Sequence, residues 1–154
     1  MTTSTLIDKD RCIGVCNNLL QGERSAVETY TLVLKKFSAN GAAPELTRLR
    51  NEHAAAVRQL EDNVRQMGGV PDSGSGLWGK FAKSVERAAQ LFGAESAMAA
   101  LQLGEAHGRV QYQQALEDES VLPECKEMIS TCLFPQTKEH IATLERLQHG
   151  EMAR

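Results

Sequence analysis

The stretches LLQGERSAVETYTLVL (19–34) and LQLGEAHGRVQYQQAL (101–116) decide how this chain reads. Gly22-Glu23 followed by Tyr30 and Leu34 answers Gly104-Glu105 followed by Tyr112 and Leu116, at identical spacing. Around the first stretch, Ile13, Cys16, Leu20, Glu23, Val27, Tyr30, Leu34 and Phe37 recur in steps of three and four. Such steps stack side chains on one face of a helix, here over about residues 6–39. Every member is apolar except Glu23. Around the second stretch, Met98, Leu101, Glu105, Gly108, Tyr112 and Ala115 predict a helix over about 94–117, with Glu105 out of character.

Each of these helices is followed by a partner. The stripe Leu46, Leu49, His53, Ala56, Leu60, Val64 and Met67 predicts a helix over 44–67 whose odd member is His53. The stripe Ile129, Cys132, Gln136, His140, Leu144 and Leu147 predicts one over about 122–149, interrupted by His140. Pro123 suits its first turn, whereas Pro135 removes a backbone bond inside it and predicts a kink or local break near 131–135. SANGAAP (38–44) separates the first two helices, with Asn40 and Gly41 suited to a C-terminal cap and Pro44 to a helix start. GGVPDSGSG (68–76) is a plain loop. It opens a long connection in which 77–92 has helical spacing, with Trp78 and Phe81 as anchors and Gly93 as the break.

The second pair of helices repeats the first. Glu52-His53 followed by Leu60 answers Glu139-His140 followed by Leu147. Each half is therefore a helical hairpin with a core glutamate on its first helix and a core histidine on its second. Two such hairpins joined by a long crossover describe an all-α, ferritin-like antiparallel four-helix bundle, with residues 1–154 as one domain.

Composition agrees with that class and narrows function. Of 154 residues, 42% are apolar and 24% charged, while aromatics are only 5%; Leu, Ala, Glu, Gln and Arg, the residues that lose least on entering a helix, predominate. The net charge is −3, with basic and acidic residues interspersed. No Lys/Arg stripe is present to track a row of phosphates, which argues against a nucleic-acid partner. No apolar run approaches the roughly 20 residues that span a bilayer, and the first residues lack signal-peptide character, so no membrane partner and a cytoplasmic location are expected. A homodimer through flat helix faces is compatible with the pattern, although mixed surface charge locates no interface. Cys12 and Cys16 lie one helical turn apart and Cys125 and Cys132 two turns apart, neither with CxxC spacing. Buried free thiols are the simplest reading; a thiolate metal site or a redox bridge are the others.

A carboxylate within an apolar stripe is costly unless it is paired or binds a cation. The ionisable exceptions are four, one on each long helix, and they are Glu or His alone. Counting from the turns brings His53, Glu105 and His140 to similar heights; Glu28 is level with His53 but flanks the stripe, and Glu23 lies deeper. Glu23, Glu28, His53, Glu105 and His140 are thus the candidate metal ligands, and such oxygen and imidazole donors suit iron, zinc or manganese. The alternative is a buried Glu–His network without metal. Dinuclear iron bundles use Glu-x-x-His on two helices. Here Arg50 and Thr137 stand where those glutamates belong, and Glu52 and Glu139 are turned about 100° from their histidines. Tyr30 and Tyr112 read as core tyrosines donating to the glutamates, and His107 and His149 as lying outside the cluster.

The segments LLQGERSAVETY (19–30), NEHAAAVRQL (51–60), GVPDSGSGLWGKFAKSVE (69–86), LGEAHG (103–108) and LFPQTKEHIATL (133–144) resemble a bacterial family of ferritin-like four-helix-bundle proteins catalogued as a domain of unknown function. The resemblance spans about residues 12–149. It implies the ferritin-like fold and a stress-related or housekeeping role, and brings no established reaction. By analogy with rubrerythrins and bacterioferritins, the matching ligands would be Glu23, His53, Glu105 and His140. Two functions follow: a non-catalytic bundle that holds a metal ion or none, favoured by Arg50 and Thr137, or a degenerate di-metal oxidoreductase of ferroxidase or peroxidase type.

Overall fold

The computed structural model describes residues 3–76 and 79–151, and the regular elements among them are all helical. They are α1 (Thr3–Lys36), α2 (Ala43–Gln66), α3 (Gly79–Phe92), α4 (Ala94–Glu117), α5 (Pro123–Met128) and α6 (Phe134–Arg146). A wide turn, Ile129–Leu133, joins α5 to α6, and another, Leu147–Glu151, extends α6. Trp78 lies outside the described residues. Among the described residues no helix is long and apolar enough to cross a membrane.

Local chemistry explains most of the breaks. α2 ends where Gly68 takes a positive φ of 83°; its N–H donates to Arg65 and that of Gly69 to Val64, which satisfies carbonyls left open by the last turn. Gly93, at φ 88°, separates α3 from α4. The expected cap at Asn40 and Gly41 takes another form. α1 stops at Lys36, and neither residue adopts positive φ; instead the Asn40 side chain accepts the Ala42 N–H at 2.8 Å, an Asx-type turn leading into α2. The loop after α2 is likewise not plain. Asn17 both donates to the Val70 carbonyl and accepts the Asp72 N–H, while Gln21 and Arg24 bond Asp72, so the crossover is tied down along α1.

The local break expected near Pro135 takes the form of the wide turn Ile129–Leu133, within a rod that otherwise continues. Backbone angles stay helical on both sides of the wide turn, and the Phe134 N–H reaches the Ile129 carbonyl, five residues back. The added residue relieves the ring's conflict with the preceding turn while the rod continues. Between Ile129 and His140 the buried stripe stands one position later than expected. Ile129, Leu133, Thr137, His140, Leu144 and Leu147 are buried, whereas Cys132 and Gln136, expected inside, are only half-buried.

The core is divided in two. One apolar cluster gathers Leu20 of α1, Leu60 and Val64 of α2, Tyr112 of α4 and Ile129 and Leu133 of the last rod. The other gathers Tyr30 and Val33, Leu46 and Leu49, Met98 and Leu101, and Leu144 and Leu147. Between them along each rod stand Glu23, His53, Glu105 and His140, all buried. The order in which each rod meets the clusters gives its direction. α1 and the last rod run from the first to the second; α2 and α4 run the other way. α3 spans the groove between α1 and α4, burying Val85 and laying Phe81 on Gly104, where an added Cβ would meet the ring at 2.9 Å.

Candidate functional site

The polar layer centres on His53. Its Nδ1 donates to Glu23 Oε2 at 2.5 Å and its Nε2 to Glu105 Oε1 at 2.7 Å. The tyrosines close the arrangement reciprocally: Tyr30 of α1 donates to Glu105 Oε1 at 2.7 Å, and Tyr112 of α4 donates to Glu23 Oε1 at 2.5 Å. Each tyrosine therefore serves the glutamate of the other half, not that of its own helix. His140 approaches more loosely. Its Nδ1 is 3.3 Å from Glu105 Oε1 and its ring stands edge-on to His53 with centroids 4.7 Å apart. Its buried Nε2 has no hydrogen-bond partner and lies 3.7 Å from Glu52 Oε1.

The charges follow from this geometry. Ionised carboxylates only accept hydrogen bonds, so a ring that bonds one through each nitrogen is an imidazolium. Burial opposes charge on His53, but Glu105 and Glu23 outweigh it and hold the imidazole well above its ordinary pKa. Burial likewise opposes charge on Glu105, and here the His53 charge and the hydrogen bonds from both histidines win, holding the carboxyl well below its usual range. Burial beside these carboxylates pushes both tyrosines upward, so they remain neutral donors.

Outside this layer Arg48 gathers a second set of carboxylates. Its guanidinium bonds Glu52 at 2.7 Å, Glu139 at 2.9 Å and Glu45 at 2.9 Å. Gln136 donates to Glu52 Oε1 at 3.1 Å, linking α2 to α6 again. Glu52 and Glu139, turned off the stripe as the helical period requires, thus approach His140 from its outer side.

Two donor groupings result. His53, Glu105 and His140, all buried, offer one ligand atom each within 4.8 Å of one another; Glu52, Glu139 and His140 do the same on the outer side. A dication in the outer set would compete with a guanidinium already bonded to both carboxylates. In the inner set the cation on Glu105 is His53 itself, which becomes a ligand once its Nε2 proton leaves. One carboxylate and two imidazoles suit zinc, iron or manganese. The Nδ1–H bond from His53 to Glu23 is the outer carboxylate contact that orients a metal-bound imidazole. The inner residues therefore fit an ion.

The other sequence candidates fall elsewhere. Glu28 is exposed and accepts the Ser75 hydroxyl at 3.2 Å, away from the four buried residues. Arg50 is half-buried with its guanidinium near Asn51, and the Thr137 hydroxyl donates to the Leu133 carbonyl. His107 and His149 are exposed. A small pocket of about 50 Å³ reaches the layer between α1 and α4 and is lined by Gly22, Glu23, Phe81, Gly104, Glu105 and Gly108. The pairs Gly22-Glu23 and Gly104-Glu105 both line it, and the Phe81 ring packs where a Cβ on Gly104 would stand. What sequence reasoning missed is Arg48; its position, five residues before His53, places it on the face that carries Glu52 and Glu45.

No curated protein and no solved structure matches the chain. One family does, over residues 12–118, from the first buried cysteine to the end of α4, a span that includes Glu23, His53 and Glu105 but not His140. The chain belongs to that family, described as "Domain of unknown function (DUF2383)".

Proposed function

We propose that this chain is a ferritin-like four-helix-bundle protein that retains one metal ion on His53, Glu105 and His140 and does not run dinuclear oxygen chemistry. The observation that carries the reading is the convergence of those three buried ligand atoms within 4.8 Å. The rod directions support the fold: α2 and α4, the long helices on either side of the crossover, run the same way, and a connection that returns the chain to the end it left is the single long crossover of ferritin-like bundles. Arg50 and Thr137 support one ion instead of two, since neither supplies the bridging carboxylate.

The chain's own residues divide the work. Glu105 brings negative charge to the centre, and Tyr30 holds that carboxylate in place. Glu23 fixes the His53 ring by accepting from Nδ1, which leaves Nε2 aimed at the centre. Holding an ion requires His53 to release its Nε2 proton while keeping Nδ1–H on Glu23. His140 faces the same oxygen from α6. A bound ion of this type supplies Lewis acidity.

A second reading rests on the bonding of both His53 nitrogens. In it the imidazolium itself is the cation between Glu23 and Glu105, and the layer is a metal-free network. Loading separately with ferrous iron, zinc and manganese, desalting, and counting metal per chain by mass spectrometry decides between them. About one ion per wild-type chain, lost in Glu105→Ala and in His140→Ala, is expected. No retained ion supports the metal-free network, and two per chain would restore the di-metal oxidoreductase.

A further inference from the structure

A second cluster of ligating side chains lies two turns below Glu23 on α1. Cys12 and Cys16 of α1 and Cys125 of α5 are buried, with exposures of 0%, 0% and 1%. Their sulfurs lie within 4.8 Å of one another, and those of Cys16 and Cys125 are 3.1 Å apart. The spacing of Cys12 and Cys16 puts both on one face of α1. Pro123 starts α5 so that Cys125 meets them from across the core.

The surroundings of the sulfurs are as telling as their proximity. Asn63 of α2 aims its Nδ2 at both Cys16 Sγ and Cys125 Sγ, at 3.2 Å each. The backbone N–H of Leu122 points at Cys12 Sγ at 3.4 Å. A thiol sulfur is a weak acceptor, and packing alone would be served by small apolar side chains. Donors directed at all three sulfurs match sulfurs that carry electron density toward a bound ion.

We propose that Cys12, Cys16 and Cys125 form a three-sulfur site for a soft, three-coordinate ion, trivalent arsenic supplied as arsenous acid being the one whose charge it fits. Three As–O bonds break and three As–S bonds form; each thiol proton leaves with a hydroxide as water, and nothing is oxidised or reduced. Reactants and product are all neutral. That neutrality matters in an apolar core, where uncompensated charge is costly. A monovalent copper ion on three thiolates would leave two negative charges there. Zinc closes its structural sites with four ligands, and this grouping offers three. The turn after α4, which carries Leu122, forms one wall.

The test uses the full, reduced chain incubated with arsenite, desalted, and weighed by native mass spectrometry. One arsenic per chain, with three protons lost, is expected. Cys132→Ser should retain it, and Cys12→Ser should bind at least tenfold more weakly. X-ray absorption at the arsenic edge of the wild-type complex counts ligands without any substitution: three sulfurs are expected. No retained arsenic, equal retention in Cys12→Ser, or two sulfurs with one oxygen would overturn the proposal.

Discussion

The two halves of the chain carry the same Glu-His pair at the same place on their second helix, yet their histidines have different surroundings. His53 bonds a carboxylate through each nitrogen. His140 makes one long contact and leaves a buried nitrogen without a partner. Five residues before His53 stands Arg48, which bonds Glu52 and Glu139; five before His140 stands Pro135, beside the wide turn that leads into α6. A repeated pattern thus sets which residue types reach the layer. What each residue does there depends on neighbours that are not repeated. In particular, Glu23 and Glu105 both turn to His53, and among the described residues no third glutamate turns to His140 from inside.

The strongest way to break the comparison is to remove the acceptor that both halves share. Glu105→Ala leaves the Tyr30 hydroxyl and the His53 Nε2–H without their acceptor, with only Glu23 left to the His53 charge, and a loss of about 3–5 kcal/mol is expected in urea unfolding of the metal-free protein. The histidines should then separate. His53→Leu strands two buried carboxylates and costs about 3 kcal/mol, whereas His140→Leu removes an unpartnered nitrogen and costs less than about 1 kcal/mol. Equal losses would mean that the two halves are equivalent after all. The reciprocal tyrosines sharpen the same point on a smaller scale. Tyr30→Phe should cost about 2 kcal/mol. In a double-mutant cycle it should couple to Glu105→Gln and not to Glu23→Gln, although Glu23 shares its helix. The smallest effect belongs to Arg48→Met. Its ion pairs are 30–50% exposed at the carboxylates of Glu52 and Glu139, so a loss of at most about 1 kcal/mol that shrinks with salt is expected.

How much of this was legible beforehand depends on whether the signal was periodic. The stripes on α1, α2 and α4 could be read because apolar residues recur there without interruption. Glu23, His53 and Glu105 then stand out as exceptions. The all-helical class follows from the same period. On the last rod the reading slipped by one residue at Cys132 and Gln136 and met the structure again at His140, since no period reveals whether a proline kinks a helix or widens its preceding turn. Glu28 and Glu23 could not be separated by counting alone, because a residue flanking a stripe can face either way; packing turned Glu28 to solvent and Glu23 to His53. The crossing of the tyrosines and the clamp at Arg48 depend on how helices distant in sequence meet, and spacing within one helix does not encode that. The three-sulfur cluster has the same origin. Cys125 was paired in sequence with Cys132, but in space it meets Cys16.

The central claim is that His140, nearly dispensable for folding, is needed to hold an ion. Thermal unfolding with and without zinc, for the wild type and His140→Leu, tests it most directly. At zinc about a hundredfold above its dissociation constant, the wild type should gain about 2.7 kcal/mol, a rise in Tm of about 5 °C or more. His140→Leu, folded and nearly as stable without metal, should show almost no rise. The same rise in both proteins, or none in the wild type, would contradict the account.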